Sequence, residues 1–243
     1  MNRHFLIFLD KTVFRILYYL IVGISRFLKT NISGYHLSKN NIDRILVIRP
    51  GGLGDAMMSI PFLRVAKKEF PSSKIAVICV QKNKTALLDI PFIDRLIVLD
   101  DPKQLISNLK WLFGKRHDVI FDLEPFRRVS SIISYLCRAA IRIGFDTNDR
   151  RHLYTHYVRY ANDKNYESVN FARQMRVFNI HISNDDASDI RTAVAAEDVD
   201  RARAFLKNRS IDPENQYLVA VAPGVLKKHH RWKMREFATL IDK

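Results

Sequence analysis

Three groups of residues in this sequence have the types and spacing to do chemistry. The first is Asp55, which closes the run Gly51-Gly52-Leu53-Gly54 directly after the apolar stretch Ile45 to Ile48 and the pair Arg49-Pro50. Glycines 51, 52 and 54 let a backbone take positive φ and let a ligand approach the main chain closely. A carboxylate at the mouth of such a loop has two uses: it can cap a helix by accepting a free backbone N–H, or it can serve as a general base in a cleft. The second group is Asp122 and Glu124, which end another apolar run as Asp122-Leu123-Glu124-Pro125. These acids either face a ligand at a sheet edge or cap their own loop and pair with Arg127 and Arg128. The third is Lys227, Lys228, His230 and Arg231, between Pro223-Gly224 and a helix expected to begin near Met234. Fixed cations beside the free N–H groups of a helix start suit a diphosphate; the plainer alternative is a solvated basic turn.

The elements that must position these groups alternate between strand and helix. Branched apolar residues running into a glycine-rich turn, followed by an apolar-periodic segment from about Pro61, read as strand, tight loop and helix. Further strands are expected at 74–80, 95–99, 118–123 and 141–145, with helical stretches at 85–90, 104–113 and 129–139 between them. This alternation predicts an α/β domain built on a mostly parallel, doubly wound sheet, with ligands at the carboxyl ends of its strands. Helices are expected at 172–178 and 194–207, around a polar stretch at 183–188, and a new strand at 217–222 leads into Pro223-Gly224. The dinucleotide pattern G-x-G-x-x-G fails at Met57, and the loop has no Gly-Lys pair for a P-loop, so neither cofactor class is supported.

With 243 residues and 47% hydrophobic content the chain can bury a core, and the formal charge of +15 calls for an acidic partner. The absence of helix-turn-helix, zinc-finger or RNP-like patterns argues against nucleic acid, leaving phosphorylated substrates and anionic lipid headgroups. Cys79 and Cys137 show no metal-ligand spacing and are expected to pack as small hydrophobes, with no structural metal. Residues 1–30 carry an uncharged, mostly apolar run at 16–25 flanked by Lys11, Arg15, Arg26 and Lys29. The run is short for a membrane span. It reads as a basic amphipathic helix lying on a membrane surface, the other uses being an anchor, a core-packing helix or a cleaved signal. The organisation expected is therefore this helix at 1–30, a linker at 31–43, an α/β domain at 44–185, and a linker helix with the incomplete start of a second domain at 186–243.

Arg49-Pro50-Gly51-Gly52-Leu53-Gly54-Asp55 with Ser59-Ile60-Pro61-Phe62-Leu63-Arg64 resembles the opening of the lipopolysaccharide heptosyltransferases, glycosyltransferase family 9. Three later stretches agree in order: 117–123 (His-Asp-Val-Ile-Phe-Asp-Leu), 142–146 (Arg-Ile-Gly-Phe-Asp), and Ala222-Pro223-Gly224 followed by Arg231-Trp232. The resemblance implies a GT-B architecture of two Rossmann-like domains, of which this chain would hold the acceptor domain and the beginning of the donor domain. A second α/β domain would need roughly 100 further residues, so the sequence reads as a fragment or truncated product. The implied activity is inverting, metal-independent transfer of a sugar, a heptose, from a nucleotide-diphosphate donor such as ADP-heptose to the lipopolysaccharide core, with no cofactor. Asp55 takes the place of the base, Gly51, Gly52, Gly54, Asp122 and Glu124 line the acceptor side, and Lys227, Lys228, His230 and Arg231 bind the donor diphosphate. The implied location is peripheral, on the anionic cytoplasmic face of the inner membrane. The alternative is a truncated, non-catalytic, membrane-bound module that binds sugar or lipid.

Overall fold

The computed structural model describes residues 10, 12–27, 41–161, 166–191, 194, 196–224 and 232–242. The chain forms two compact units, Met1–Thr192 and Ala193–Lys243. The first contains helix α1 (Val13–Phe27), then β1 (Arg44–Ile48), α2 (Leu53–Met57), α3 (Ile60–Glu69), β2 (Lys74–Cys79), α4 (Gln81–Lys84) and β3 (Arg95–Val98). It continues with α5 (Leu105–Gly114), β4 (Val119–Asp122), α6 (Arg128–Leu136), β5 (Ile141–Phe145), β6 (His156–Val158), α7 (Glu167–Ala172) and α8 (Asn184–Ser188). Two 3₁₀ segments, Thr147–Leu153 and Arg173–Phe178, complete it.

The six strands form one sheet in the order β3-β2-β1-β4-β5-β6, and each pairing is parallel. Successive side chains on a strand point to opposite faces, so Ile45 and Val47 enter one core with Phe62, Phe121, Phe171 and Phe178, while Leu46 and Ile48 enter the other with Ile78, Ile97, Leu112 and Ile120. Burial on both faces explains why β1, β2 and β4 read as continuous apolar runs instead of alternating ones. Each fully buried Ile, Leu, Val or Phe contributes about 1.5–3 kcal/mol.

The order matters for function. After β1 the chain winds outward through β2 and β3, then returns to lay β4 on the other side of β1. The β1 and β4 loops therefore open from the same edge at the point where winding reverses, the place where open α/β sheets form a ligand crevice. Gly51, Gly52, Gly54 and Asp55 follow β1; Glu124 follows β4, whose last residue is Asp122.

Several expectations are corrected. Residues 85–89 form turns, and the helix there is α4, one turn earlier, where Asn83 Oδ1 accepts the Val80 N–H at 2.9 Å and its amide reaches the Arg49 carbonyl at 3.0 Å. The strand expected at 217–222 carries no ladder, and Tyr217, Leu218, Val219 and Val221 are exposed: extended backbone becomes a strand only where a neighbour takes its hydrogen bonds. Strand β6, of three residues, is too short to stand out by pattern. In the second unit, helices α9 (Ala196–Lys207) and α10 (Met234–Ile241) form within the stretch expected at 194–207 and at the helix start expected near Met234. Most of the linker at 31–43 and the basic cluster Lys227, Lys228, His230 and Arg231 lie outside the described residues.

Candidate active site at the β1 and β4 strand ends

The site is assembled around Arg49. This residue directly follows four buried strand residues and is itself only 3% exposed. Its Nη2 lies 3.2 Å from Asp55 Oδ1 and its Nη1 lies 3.6 Å from Glu124 Oε2. The same guanidinium donates to the Asp55 carbonyl (Nε, 3.3 Å) and to the Leu123 carbonyl (Nη1, 3.3 Å). Its Cζ lies over the Phe171 ring, 4.8 Å from the ring centre, a cation–π contact. One buried cation thus ties the β1 loop to the β4 loop.

Asp55 occupies the first turn of the short helix α2. Gly52 is the N-cap residue, and Asp55 Oδ2 reaches back to accept the Gly52 N–H at 2.7 Å. Asp55 is thus not the N-cap residue itself but the third residue of the helix, whose carboxylate serves the cap. It satisfies a free N–H at the helix start from within the first turn, and its side chain is still 49% exposed at the crevice. An ionised carboxylate offers about four lone-pair directions, so these two contacts leave acceptor capacity toward solvent.

None of Gly51, Gly52 and Gly54 takes positive φ (Gly52 has φ −76°), which corrects that expectation; Gly51 acts by space instead. A Cβ on Gly51 would stand 2.6 Å from Asp55 Oδ2 and 2.8 Å from Asp55 Cβ, so a side chain there would displace the carboxylate. At Gly54 a Cβ would meet nothing within 4 Å, so this position is open to an incoming group.

Asp122 and Glu124 play different parts. Asp122 is fully buried: its Oδ2 accepts from Arg150 Nη2 at 2.7 Å and from Tyr154 Oη at 2.6 Å, and its Oδ1 accepts the Glu124 N–H at 3.0 Å. Its ion-pair partner is Arg150, in place of the Arg127 or Arg128 foreseen from the sequence. Burial pushes the Asp122 carboxyl up, against the Arg150, Tyr154 and Ser130 contacts that favour its charge. Arg150 also donates to the Glu124 carbonyl and to Ser130 Oγ (3.0 Å). Gln174 Nε2 holds the Asp122 carbonyl at 2.8 Å. Asp122 therefore shapes the β4 loop from beneath, and Glu124 is the member of the pair that shares the Arg49 guanidinium with Asp55.

Arg150 reaches this position because Asn148 (φ 51°) and Asp149 (φ 61°) adopt the left-handed region, which Asn and Asp tolerate best among residues with a Cβ. The same 147–153 segment binds the β4 loop twice more, through Thr147 Oγ1 to the Pro125 carbonyl and Asn148 Nδ2 to the Phe126 carbonyl (2.7 Å). Gly144 leaves room for Tyr154, whose ring would lie 2.2 Å from a Cβ at that position.

Sequence reasoning named Asp55, Asp122 and Glu124, which the structure places at or beside the β1 and β4 strand ends, but missed Arg49, Arg150, Tyr154 and Gln174 as their partners. A charged residue straight after a buried strand was the available sign of Arg49; the Arg150 contact had none, because it joins positions 28 residues apart. Among the described residues, no group of three or more His, Cys, Asp or Glu is arranged to hold a metal ion.

No family model matches the sequence, and no curated protein matches it. Solved structures do. A glycosyl transferase family 9 protein from Veillonella parvula superposes with a TM-score of 0.65 and 21% identity over 84% of this chain and 60% of its own. The E. coli heptosyltransferase WaaC with ADP gives 0.58 and 13% over 82% of this chain and 62% of its own. WaaC with ADP-2-deoxy-2-fluoro heptose gives 0.58 and 14%, over 82% and 64%. The chain thus spans about three-fifths of the length of these structures, and shares with these glycosyltransferases the Rossmann-type fold of a parallel sheet flanked by helices.

Proposed function

We propose that this chain carries the acceptor side of an inverting glycosyltransferase of the heptosyltransferase kind. The observation that carries the reading is Asp55: a half-exposed carboxylate at the switch point of the sheet, oriented by Arg49 and the Gly52 N–H, with Glu124 sharing the same guanidinium. The motif order along the sequence and the fold shared with glycosyltransferase structures support it.

Displacement with inversion requires an acceptor hydroxyl to lose its proton as its oxygen attacks the anomeric carbon. Asp55 takes that proton on an oxygen facing the crevice. Arg49 and the Gly52 N–H fix the carboxylate's rotamer, which lowers the cost of orienting it for attack. Glu124 adjoins the acceptor hydroxyls. The donor is a nucleotide-diphosphate sugar such as ADP-heptose, and the cations assigned to its leaving diphosphate are Lys227, Lys228, His230 and Arg231, which precede Met234 in the sequence. The acceptor is the phosphorylated lipopolysaccharide core, which puts the protein at the cytoplasmic face of the inner membrane, where its positive charge meets anionic lipid.

The test is transfer of heptose from ADP-heptose to a truncated lipopolysaccharide acceptor, by this chain and by a version continued past Lys243, each with and without Asp55→Asn. Loss of transfer by about 10²-fold or more in Asp55→Asn, with the fold intact, is the expected result for removal of a general base. Undiminished transfer by Asp55→Asn would return this residue to helix capping alone. Acceptor-lipid binding without transfer in any version would favour a binding module.

A further inference from the structure

Helix α1 carries two apolar stripes. Tyr18 and Val22 are buried against Ile132 and Leu153, with Phe14, Ile21 and Tyr135 packed around them. On the opposite side Val13, Ile16, Leu17, Leu20 and Ile24 are exposed, Ile16 by 65%. Spacings of three and four residues put these five on one stripe of the helix. At 15 residues the helix is about 22 Å long, and no described helix is long and apolar enough to cross a membrane. A stripe of this kind, left in water, is a docking surface.

The inner side is firmly attached. Tyr18 Oη donates to the Asp149 carbonyl and Tyr19 Oη to Asp149 Oδ2 at 3.0 Å, and Asp10 Oδ1 accepts the Val129 N–H at 3.4 Å. Burial, with Asp149 close by, pushes the Tyr18 hydroxyl up to about 12, so it remains a donor. Asp149 lies in the same left-handed kink that aims Arg150 at Asp122 and the Glu124 carbonyl. Helix α1 is thus joined through one short segment to the loop bearing Glu124.

Charge identifies the occupant. Residues 1–41 contain six Lys or Arg and one acid, and Arg15 is exposed on α1 itself. An apolar stripe on a helix that also exposes Arg15, within a segment whose sequence is strongly basic, fits the boundary between acyl chains and anionic headgroups, where interfacial helices lie with their apolar face a few ångströms deep. We propose that the stripe Val13, Ile16, Leu17, Leu20 and Ile24 seats α1 in an anionic lipid surface, and that its inner contacts hold the β1 and β4 strand ends beside that surface. This deepens the membrane location proposed above and rests on it only for the identity of the acceptor.

The experiment is co-sedimentation of the full chain with vesicles of phosphatidylcholine alone or mixed with phosphatidylglycerol, at low and high salt, with Ile16→Ser/Leu20→Ser as the variant. Both positions are exposed, so the variant should melt as the parent does. The expected result is binding that requires phosphatidylglycerol, weakens with salt and falls about tenfold or more in the variant, as loss of two apolar contacts implies. Equal binding by parent and variant, binding indifferent to phosphatidylglycerol, or no vesicle binding would each overturn the proposal. So would self-association without vesicles, abolished by the variant in sedimentation velocity, which would assign the stripe to a second copy. Asp55→Asn should bind vesicles like the parent, so a failed transfer reading leaves this outcome untouched.

Discussion

Arg49 Nη2 and Asp55 Oδ1 are 3.2 Å apart, yet their side chains differ sharply in environment, one 4% and the other 49% exposed. A buried cation therefore holds a carboxylate that solvent can reach. Because the same guanidinium lies 3.6 Å from the nearly buried Glu124, one residue sets the spacing of both acids.

Replacing Arg49 should consequently cost more than a surface ion pair. Arg49→Met keeps much of the packing on Phe171 but leaves Glu124 buried without its counter-charge; breaking a buried pair costs about 3 kcal/mol. Urea unfolding should show that loss. Arg49→Met/Glu124→Gln should recover a good part of it, and no recovery would mean that the Glu124 contact is not what makes Arg49 necessary.

Gly144→Ala tests how tightly Tyr154 is seated. The added methyl would meet the ring at 2.2 Å, so the buried Tyr154 ring or the backbone must move to admit it. Overpacking of this kind costs about 1–3 kcal/mol, and it should appear as a lowered thermal midpoint. An unchanged midpoint would show that the Tyr154 and Asp122 contacts can rearrange freely.

His117 makes stability depend on pH. Burial lowers its affinity for a proton, only partly offset by its contact with the Leu112 carbonyl. Its folded pKa lies below the unfolded value of about 6.5, so the stability it contributes is present above that value and is lost as pH falls through the folded pKa. Unfolding free energy followed downward from neutral pH should decline below about 6.5, and His117→Gln should flatten this part of the profile.

The two thiols should be inert in the native state. Burial raises Cys79 to about 11 and Cys137 to about 12, so neither forms appreciable thiolate near neutral pH. A thiol reagent should label neither until denaturant is added; labelling of Cys137 in native buffer would show that α6 opens locally.

Local sequence determined a good deal of this protein. Apolar runs at β1, β2 and β4, punctuated by the glycine loop and followed by helical periodicity, dictated a parallel α/β sheet, because strands buried on both faces must be apolar throughout. They also put Asp55 and Glu124 at strand ends, where the backbone leaves the sheet. What no local pattern carried was partnership. Arg49 joins loops from strands more than 70 positions apart, and Arg150 reaches Asp122 only because residues 148 and 149 turn left-handed and the sheet order brings β4 between β1 and β5. Helix α1 shows the same division: its two apolar stripes are written in its own residues, but only packing against Ile132 and Leu153 decides which stripe is buried and which is left to face outward. Periodicity specifies that a side chain needs a partner; tertiary structure alone decides which one, since that choice depends on contacts between segments distant along the chain.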